Sequence, residues 1–206
     1  YGLKPVINAT CHWTTFGGTV MWPEVSVAMA EASVACVDMR SLQDEASRRI
    51  SARTNGEASL VVSGCAAALM VGAAAIMTGH DHRRMASLPH TASLEGSYKF
   101  PCGFVTRRFG RVADIHGEYE AWGYAHAVRG AGGVFQEVGD ADHLTREDYE
   151  AGFDSHTAGV YWVSDGLDRG MSLEEAIKVA HSHGVPVLVD ASNTLPPASK
   201  IGRAHV

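Results

Sequence analysis

The sequence predicts an α/β fold in which a mainly parallel β-sheet is flanked by helices. Strand-like and helical segments alternate along most of the 206 residues. Residues 185–190 form an apolar run that is typical of a strand buried on both faces, and the run ends in a carboxylate, Asp190. Residues 58–62 lead through a tight turn directly into an alanine-rich helix, which is the connection that parallel strands use.

Two helices precede the first predicted strand. A proline early in the pattern favours a helix over residues 23–36, and apolar residues recur at helical spacing over residues 41–53. The strand over residues 58–62 comes next. It is followed by a helix over residues 66–78, which ends at Gly79.

Residues 80–110 lack periodicity and contain several prolines and glycines, so we predict one long connection there. Alternation then resumes. Ser172 and Glu175 form a predicted capping box at the start of the last helix, which ends at Gly184 before the strand that carries Asp190. Between the connection and that helix, the predicted strands are residues 111–115, 133–138 and 158–163, and the predicted helices are residues 122–130 and 145–151.

Composition limits the classes of function. The formal net charge is −6 and Lys and Arg form no dense run, which argues against a nucleic-acid surface. The four cysteines are widely spaced, and neither His80 with His82 nor His181 with His183 has a third ligand at a fixed spacing, so we predict no metal site. The longest apolar stretch, residues 66–77, is too short to span a membrane. We expect a cytoplasmic protein that does not bind membranes.

Two short segments carry residues suited to chemistry. Ser63, Gly64 and Cys65 lie at the predicted start of a helix, where unpaired N–H groups and the helix dipole favour a phosphate. The alternative is a structural turn with a small capping residue. Asp190 lies at the carboxyl edge of the predicted sheet, where α/β proteins place ligands. The protonated ring nitrogen of pyridoxal phosphate is one partner for such an acid, and a cap on the following turn is the alternative.

Several segments together resemble one enzyme family. They are residues 2–10, 17–21, 23–25, 63–67, 123–129, 189–191 and 195–197, and so span nearly the whole chain. In their order and spacing they resemble the bacterial selenocysteine synthase-like branch of fold-type I pyridoxal-phosphate enzymes. That branch includes L-seryl-tRNA(Sec) selenium transferase and the D-glucosaminate-6-phosphate ammonia-lyase-like proteins, and the Leu195-Pro196-Pro197 ending is more similar to the latter.

The resemblance implies a pyridoxal 5'-phosphate enzyme with an aspartate aminotransferase-like large domain. It implies an α,β-elimination of the ammonia-lyase type on an amino acid or amino-sugar acid, carried out by a homo-oligomer such as a homodimer. The alternatives are selenium transfer onto seryl-tRNA and a non-catalytic α/β scaffold that lacks the Schiff-base lysine.

The same resemblance implies roles for particular residues. By this resemblance, Ser63, Gly64 and Cys65 would bind the cofactor's phosphate, and Asp190 would bind its pyridine nitrogen. The family places a histidine near the ring; here both His116 and Trp122 are candidates to stack on it, and the alternative for His116 is an ordinary loop residue. Ser164, at the end of a predicted strand, is a candidate for a hydrogen bond to the cofactor edge.

The Schiff-base lysine has no evident counterpart in this chain. The only lysines are Lys4, Lys99, Lys178 and Lys200. The resemblance places the lysine after one further helix and strand beyond Asp190, and none of the four fits that position. The catalytic residue therefore stays unknown.

The chain is expected to be a fragment. Residues 201–206 match one reading frame of a common sequencing-library adapter, so we expect a non-native tail there. Residues 1–57 are the predicted N-terminal helical segment, and residues 58–200 are the predicted part of a pyridoxal-phosphate-binding large domain. We expect the chain as it stands to be poorly soluble and inactive, because a truncated parallel sheet leaves an open apolar edge.

Overall fold

In the computed structural model the chain forms two compact units, Tyr1–Glu45 and Ala46–Val206. The division predicted between residues 57 and 58 stays a prediction. The structure describes residues 2–9, 17–91, 103–107, 124–140, 143–164 and 170–191.

The two N-terminal helices follow the predicted pattern. Helix α1 (Pro23–Ala32) begins at a proline, as predicted, and ends before Cys36. Helix α2 (Met39–Thr54) covers the whole of the second predicted helix. Its start is held by Asp38, whose carboxylate accepts hydrogen bonds from the backbone N–H and the hydroxyl of Ser41.

A parallel sheet lies in the second unit, and this confirms the predicted fold class. All pairings between neighbouring strands are parallel, so the carboxyl ends of the strands meet at one edge. Within the described residues the strands are β1 (Gly103–Arg107), β2 (Val134–Val138), β3 (Thr157–Val163) and β4 (Val187–Asp190), in the spatial order β2-β1-β3-β4.

Helices cover both faces of the sheet, as predicted. Successive side chains of β3 alternate between two hydrophobic clusters, with Tyr161 and Val163 in one and Val160 and Trp162 in the other. The first cluster contains residues of α3 (Cys65–Thr78) and α5 (Tyr124–Gly130), and the second contains residues of α6 (Arg146–Glu150) and α7 (Leu173–Ser182).

Residues 58–62 do not form the predicted strand. Leu60 is 60% exposed and Val61 is 47% exposed, and the described sheet does not include them. A strand forms only where its backbone is hydrogen-bonded to a neighbouring strand, and an apolar composition does not show whether such a neighbour exists. The prediction was therefore wrong for this element, although the turn and helix that follow it are confirmed.

The connection predicted over residues 80–110 contains regular structure, which corrects that prediction. Helix α4 (His82–Ser87) begins at Asp81, whose carboxylate accepts two backbone N–H groups of the first turn. β1 occupies the interior of the sheet, and its residue Phe104 is fully buried. Burial against both layers of helices stabilises this short strand, and a five-residue segment is too short to show a clear period.

Strand β4 is less buried than predicted. Its first three residues are half-buried, because within the described sheet only β3 lies beside it. The other predicted elements that fall on described residues are confirmed. They include the Ser172 and Glu175 capping box, in which each side chain binds the other's backbone N–H. The strand predicted over residues 111–115 lies outside the described residues.

Among the described helices, none is long and apolar enough to cross a bilayer.

Tyr149→Phe is expected to raise the free energy of unfolding by about 1 kcal/mol, since the hydroxyl of Tyr149 is a buried polar group without a described partner. The side chain is fully buried beneath Phe153 and Trp162, and burial raises the pKa of its hydroxyl. Urea unfolding of both proteins measures the effect. A clear loss of stability would show that the hydroxyl has a partner.

Candidate functional site

Asp190 is the last residue of β4 and lies at the carboxyl edge of the sheet, as predicted. It is 4% exposed. Its neighbour in the register is Val163, the last residue of β3, and the backbone N–H of Ser164 donates a 2.8 Å hydrogen bond to the carbonyl oxygen of Asp190. The backbone that carries the carboxylate is therefore fixed by the adjacent strand.

The Asp190 carboxylate connects the sheet edge to the start of α3. The Cys65 thiol donates to Asp190 Oδ2 at 3.6 Å, and the Tyr161 hydroxyl donates to the same oxygen at 3.4 Å. Cys65 is the first residue of α3, and Tyr161 belongs to the cluster on the α3 side of the sheet. The carboxylate thus lies on the α3 side, beside the turn that the sequence singled out for phosphate.

Partial burial raises the pKa of the Cys65 thiol, and the nearby charge of Asp190 and the hydrogen bond to it raise the pKa further. A thiol with a raised pKa stays protonated at neutral pH. Cys65 is therefore a hydrogen-bond donor to Asp190 and is poorly suited to act as a nucleophile.

The N-terminus of α3 presents backbone donors with no protein acceptor in the described part of the chain. The first backbone N–H of this helix to bond is that of Ala68, which donates to the carbonyl oxygen of Gly64 at 3.0 Å. The N–H groups of residues 65–67 precede it. Gly64 is the N-cap, no side chain caps the helix, and an added Cβ at Gly64 would meet nothing within 4 Å. This favours an anion site over the alternative of a structural turn capped by Ser63.

The predicted site residues that the structure describes come together at one edge of the sheet. The turn at residues 63–65, Asp190 and Ser164 all lie there, and Ser164 is half-buried. Their binding roles stay predictions. His116 and Trp122 lie outside the described residues.

Lys178 is the lysine of the second unit that the structure describes, and it does not lie at this edge. Lys178 lies on the exposed side of α7, which packs on the other face of the sheet from α3. Lys4 is exposed in the first unit. Lys99 and Lys200 lie outside the described residues.

Sequence reasoning missed Tyr161. A tyrosine in a buried strand is typical of core packing, and no local motif marks this one. The available signal was its position in β3, two residues before the strand ends and next to the strand that carries Asp190. Side chains alternate between the two faces of a strand, so Tyr161 lies on the same face as Val163. Assigning that face to the α3 side of the sheet would have placed Tyr161 near Asp190.

A separate cleft of about 230 Å³ lies on the opposite face, between the starts of α6 and α7. His143, Arg146 and Lys178 are among its lining residues. It contains neither Asp190 nor the start of α3. In the described residues, no group of three or more side chains is arranged to hold a metal ion.

Known proteins resemble this chain in sequence and in structure, although no family model matches it. It is 29% identical to the D-glucosaminate-6-phosphate ammonia lyase of Salmonella typhimurium (strain 14028s / SGSC 2262) over 196 residues. The aligned region covers 93% of this chain and 49% of that protein. The chain is 27% identical to the 5'-C-glycyluridine monooxygenase-decarboxylase of a Streptomyces species over 195 residues, and this aligned region covers 93% of this chain and 46% of that protein.

A solved structure of D-glucosaminate-6-phosphate ammonia-lyase superposes on the chain with a TM-score of 0.78 at 30% identity, over 92% of this chain and 49% of that chain. The chain therefore spans about half the length of the relatives that it matches.

Proposed function

We propose that the chain is part of a pyridoxal-phosphate-dependent lyase that acts on an amino acid or amino-sugar acid. The observation that carries the proposal is the 3.6 Å contact between Cys65 Sγ and Asp190 Oδ2, because it brings an anion-binding helix start and a buried carboxylate to one place. The likeness to a D-glucosaminate-6-phosphate ammonia lyase supports the reaction class.

The residues at this edge suit the two ends of pyridoxal phosphate. Three backbone N–H groups at the start of α3 match the phosphate, and a Cβ added at the N-cap, Gly64, would meet nothing within 4 Å. At the other end, a carboxylate that is 4% exposed is a suitable acceptor for a cationic ring N–H.

Each residue has a defined task in this proposal. Residues 65–67 bind the phosphate through their backbone, and Asp190 accepts a hydrogen bond from the ring nitrogen. The backbone N–H of Ser164 fixes the Asp190 backbone, and its hydroxyl is the candidate for a hydrogen bond to the cofactor edge. When bound, pyridoxal phosphate supplies a ring that accepts electrons as a bond at the substrate's α-carbon breaks. Such a ring is what the α,β-elimination expected from the resemblance would require.

The alternatives make different predictions about this site. A selenium transferase would bind the same cofactor and would differ in its substrate, seryl-tRNA. A non-catalytic scaffold would keep the fold without binding the cofactor. The relative named a monooxygenase-decarboxylase matches nearly the same length of chain as the ammonia lyase, so similarity over this length is compatible with more than one reaction. Within this proposal, the partner is a small molecule and the complete protein is a homo-oligomer.

Gly64→Ala is expected to weaken binding of pyridoxal phosphate about tenfold, because a methyl group at the N-cap would compete with the phosphate for the open space at the helix start and displace at least one bond to it. The fold should be unaffected, since the added carbon meets nothing within 4 Å. Titration calorimetry with pyridoxal phosphate and with inorganic phosphate measures both affinities.

Gly56→Ala is the matched control, because its added carbon makes only ordinary contacts, the nearest at 3.4 Å from the Thr54 hydroxyl oxygen. It should bind like the unaltered chain. An unaltered chain that does not bind pyridoxal phosphate would contradict the proposal. Equal affinities of the Gly64→Ala variant and the parent for both ligands would show that the phosphate does not bind at the start of α3.

A further inference from the structure

Tyr161 is placed to act on the Asp190 carboxylate. Its side chain is fully buried, and its hydroxyl donates to Asp190 Oδ2 at 3.4 Å. The ring packs edge-on against Phe135 with the centroids 5.7 Å apart and the planes at 61°. A ring fixed in this way between β2 and the sheet edge has little freedom, so the hydroxyl points at the carboxylate in a defined direction.

Two donors meet the same oxygen of Asp190. Cys65 Sγ approaches Oδ2 as well, at 3.6 Å. Donors on one oxygen fix the rotation of the carboxylate and stabilise its negative charge. The Cys65 residue is exposed, so water can take over part of its role, whereas no water can reach the fully buried Tyr161 hydroxyl.

We propose that Tyr161 is a positioning residue for the cofactor, which holds the Asp190 carboxylate in the orientation and the charge state that keep the proton on the cofactor's ring nitrogen. This inference rests on the proposed function, because it concerns the same carboxylate. Tyr161 does not touch the cofactor in this proposal. It acts through Asp190, so its removal should affect the ring end of the ligand and leave the phosphate end unchanged.

The test compares two ligands in Tyr161→Phe. One is pyridoxal phosphate, and the other is the analogue in which a CH group replaces the ring nitrogen. The ratio of their affinities isolates the contribution of the ring nitrogen. Loss of one hydrogen bond to a charged group should lower this ratio about three- to tenfold, while the affinity for the analogue stays the same.

A second readout follows the proton itself. With isotopically labelled pyridoxal phosphate, the NMR chemical shift of the ring nitrogen reports whether the nitrogen is protonated. In the parent the ring should be protonated, and in Tyr161→Phe the shift should move towards the neutral ring, because the carboxylate that faces the ring nitrogen is then less well held. Tyr149→Phe is the matched control, since Tyr149 is equally buried but lies in the cluster on the other face. It should change neither readout.

The outcomes separate this inference from the function on which it rests. If the parent does not discriminate between the two ligands, Asp190 does not bind the ring nitrogen, and both proposals fail. If the parent discriminates and Tyr161→Phe discriminates equally, with an unchanged ring-nitrogen shift, only the role of Tyr161 is overturned. Equal losses of affinity for both ligands would show that Tyr161 supports the fold alone, which also overturns it.

Discussion

Asp190→Asn is expected to weaken binding of pyridoxal phosphate about 10- to 100-fold, which is the loss of one charge-assisted hydrogen bond of about 1.5–3 kcal/mol. The amide has nearly the shape of the carboxylate but no negative charge, so it cannot hold a protonated ring. The carboxylate is 4% exposed, and little water is present to take its place. Titration calorimetry measures the affinity, and the analogue without a ring nitrogen should bind with little change.

The matched control for this change is Asp44→Asn, which removes the same charge from an exposed position on α2. It should leave both affinities as they are. Thermal unfolding of all three proteins shows whether the fold persists. The idea fails if Asp190→Asn is folded and still binds pyridoxal phosphate as tightly as the parent.

Much of the fold could be predicted because its signals are local. Two such signals each depend on a few neighbouring residues: the capping box at Ser172 and Glu175, and the glycine that ends α3. The structure confirms both. β1 was missed for the opposite reason. What makes it a strand is its position between β2 and β3 in the sheet, and a five-residue segment carries too little pattern to show that. Residues 58–62 have the composition of a strand, yet no described strand pairs with them.

The candidate site divides in the same way. The position of Asp190 follows from the rule that ligands bind at the carboxyl ends of parallel strands, and the turn at residues 63–65 follows from the chemistry of helix starts. That the two segments touch could be expected from the fold class. The contribution of Tyr161 depends on which face of β3 it lies on and on how far its ring reaches, and neither quantity is present in a linear pattern.

The largest expected loss of stability comes from the strand that the sequence did not reveal. Phe104→Ala is expected to lower the free energy of unfolding by about 3–5 kcal/mol, because it removes a large side chain and leaves a cavity. Phe104 is fully buried in the interior strand of the described sheet, in the cluster that joins α3, α5 and β3. Its ring also lies 3.3 Å from the position that a Cβ at Gly159 would occupy, so the neighbouring strand is already in close contact.

Urea unfolding measures this loss as a lower midpoint with an unchanged slope. Val134→Ala is the control, since Val134 lies on the adjacent strand β2 but is 59% exposed, and it should change stability by less than about 1 kcal/mol. Equal losses in the two variants would mean that β1 is not part of the folded core. β1 supports β3, which carries Tyr161 and leads directly into Ser164, whose N–H binds the Asp190 backbone. Phe104→Ala should therefore also weaken pyridoxal phosphate binding at temperatures where the variant begins to unfold.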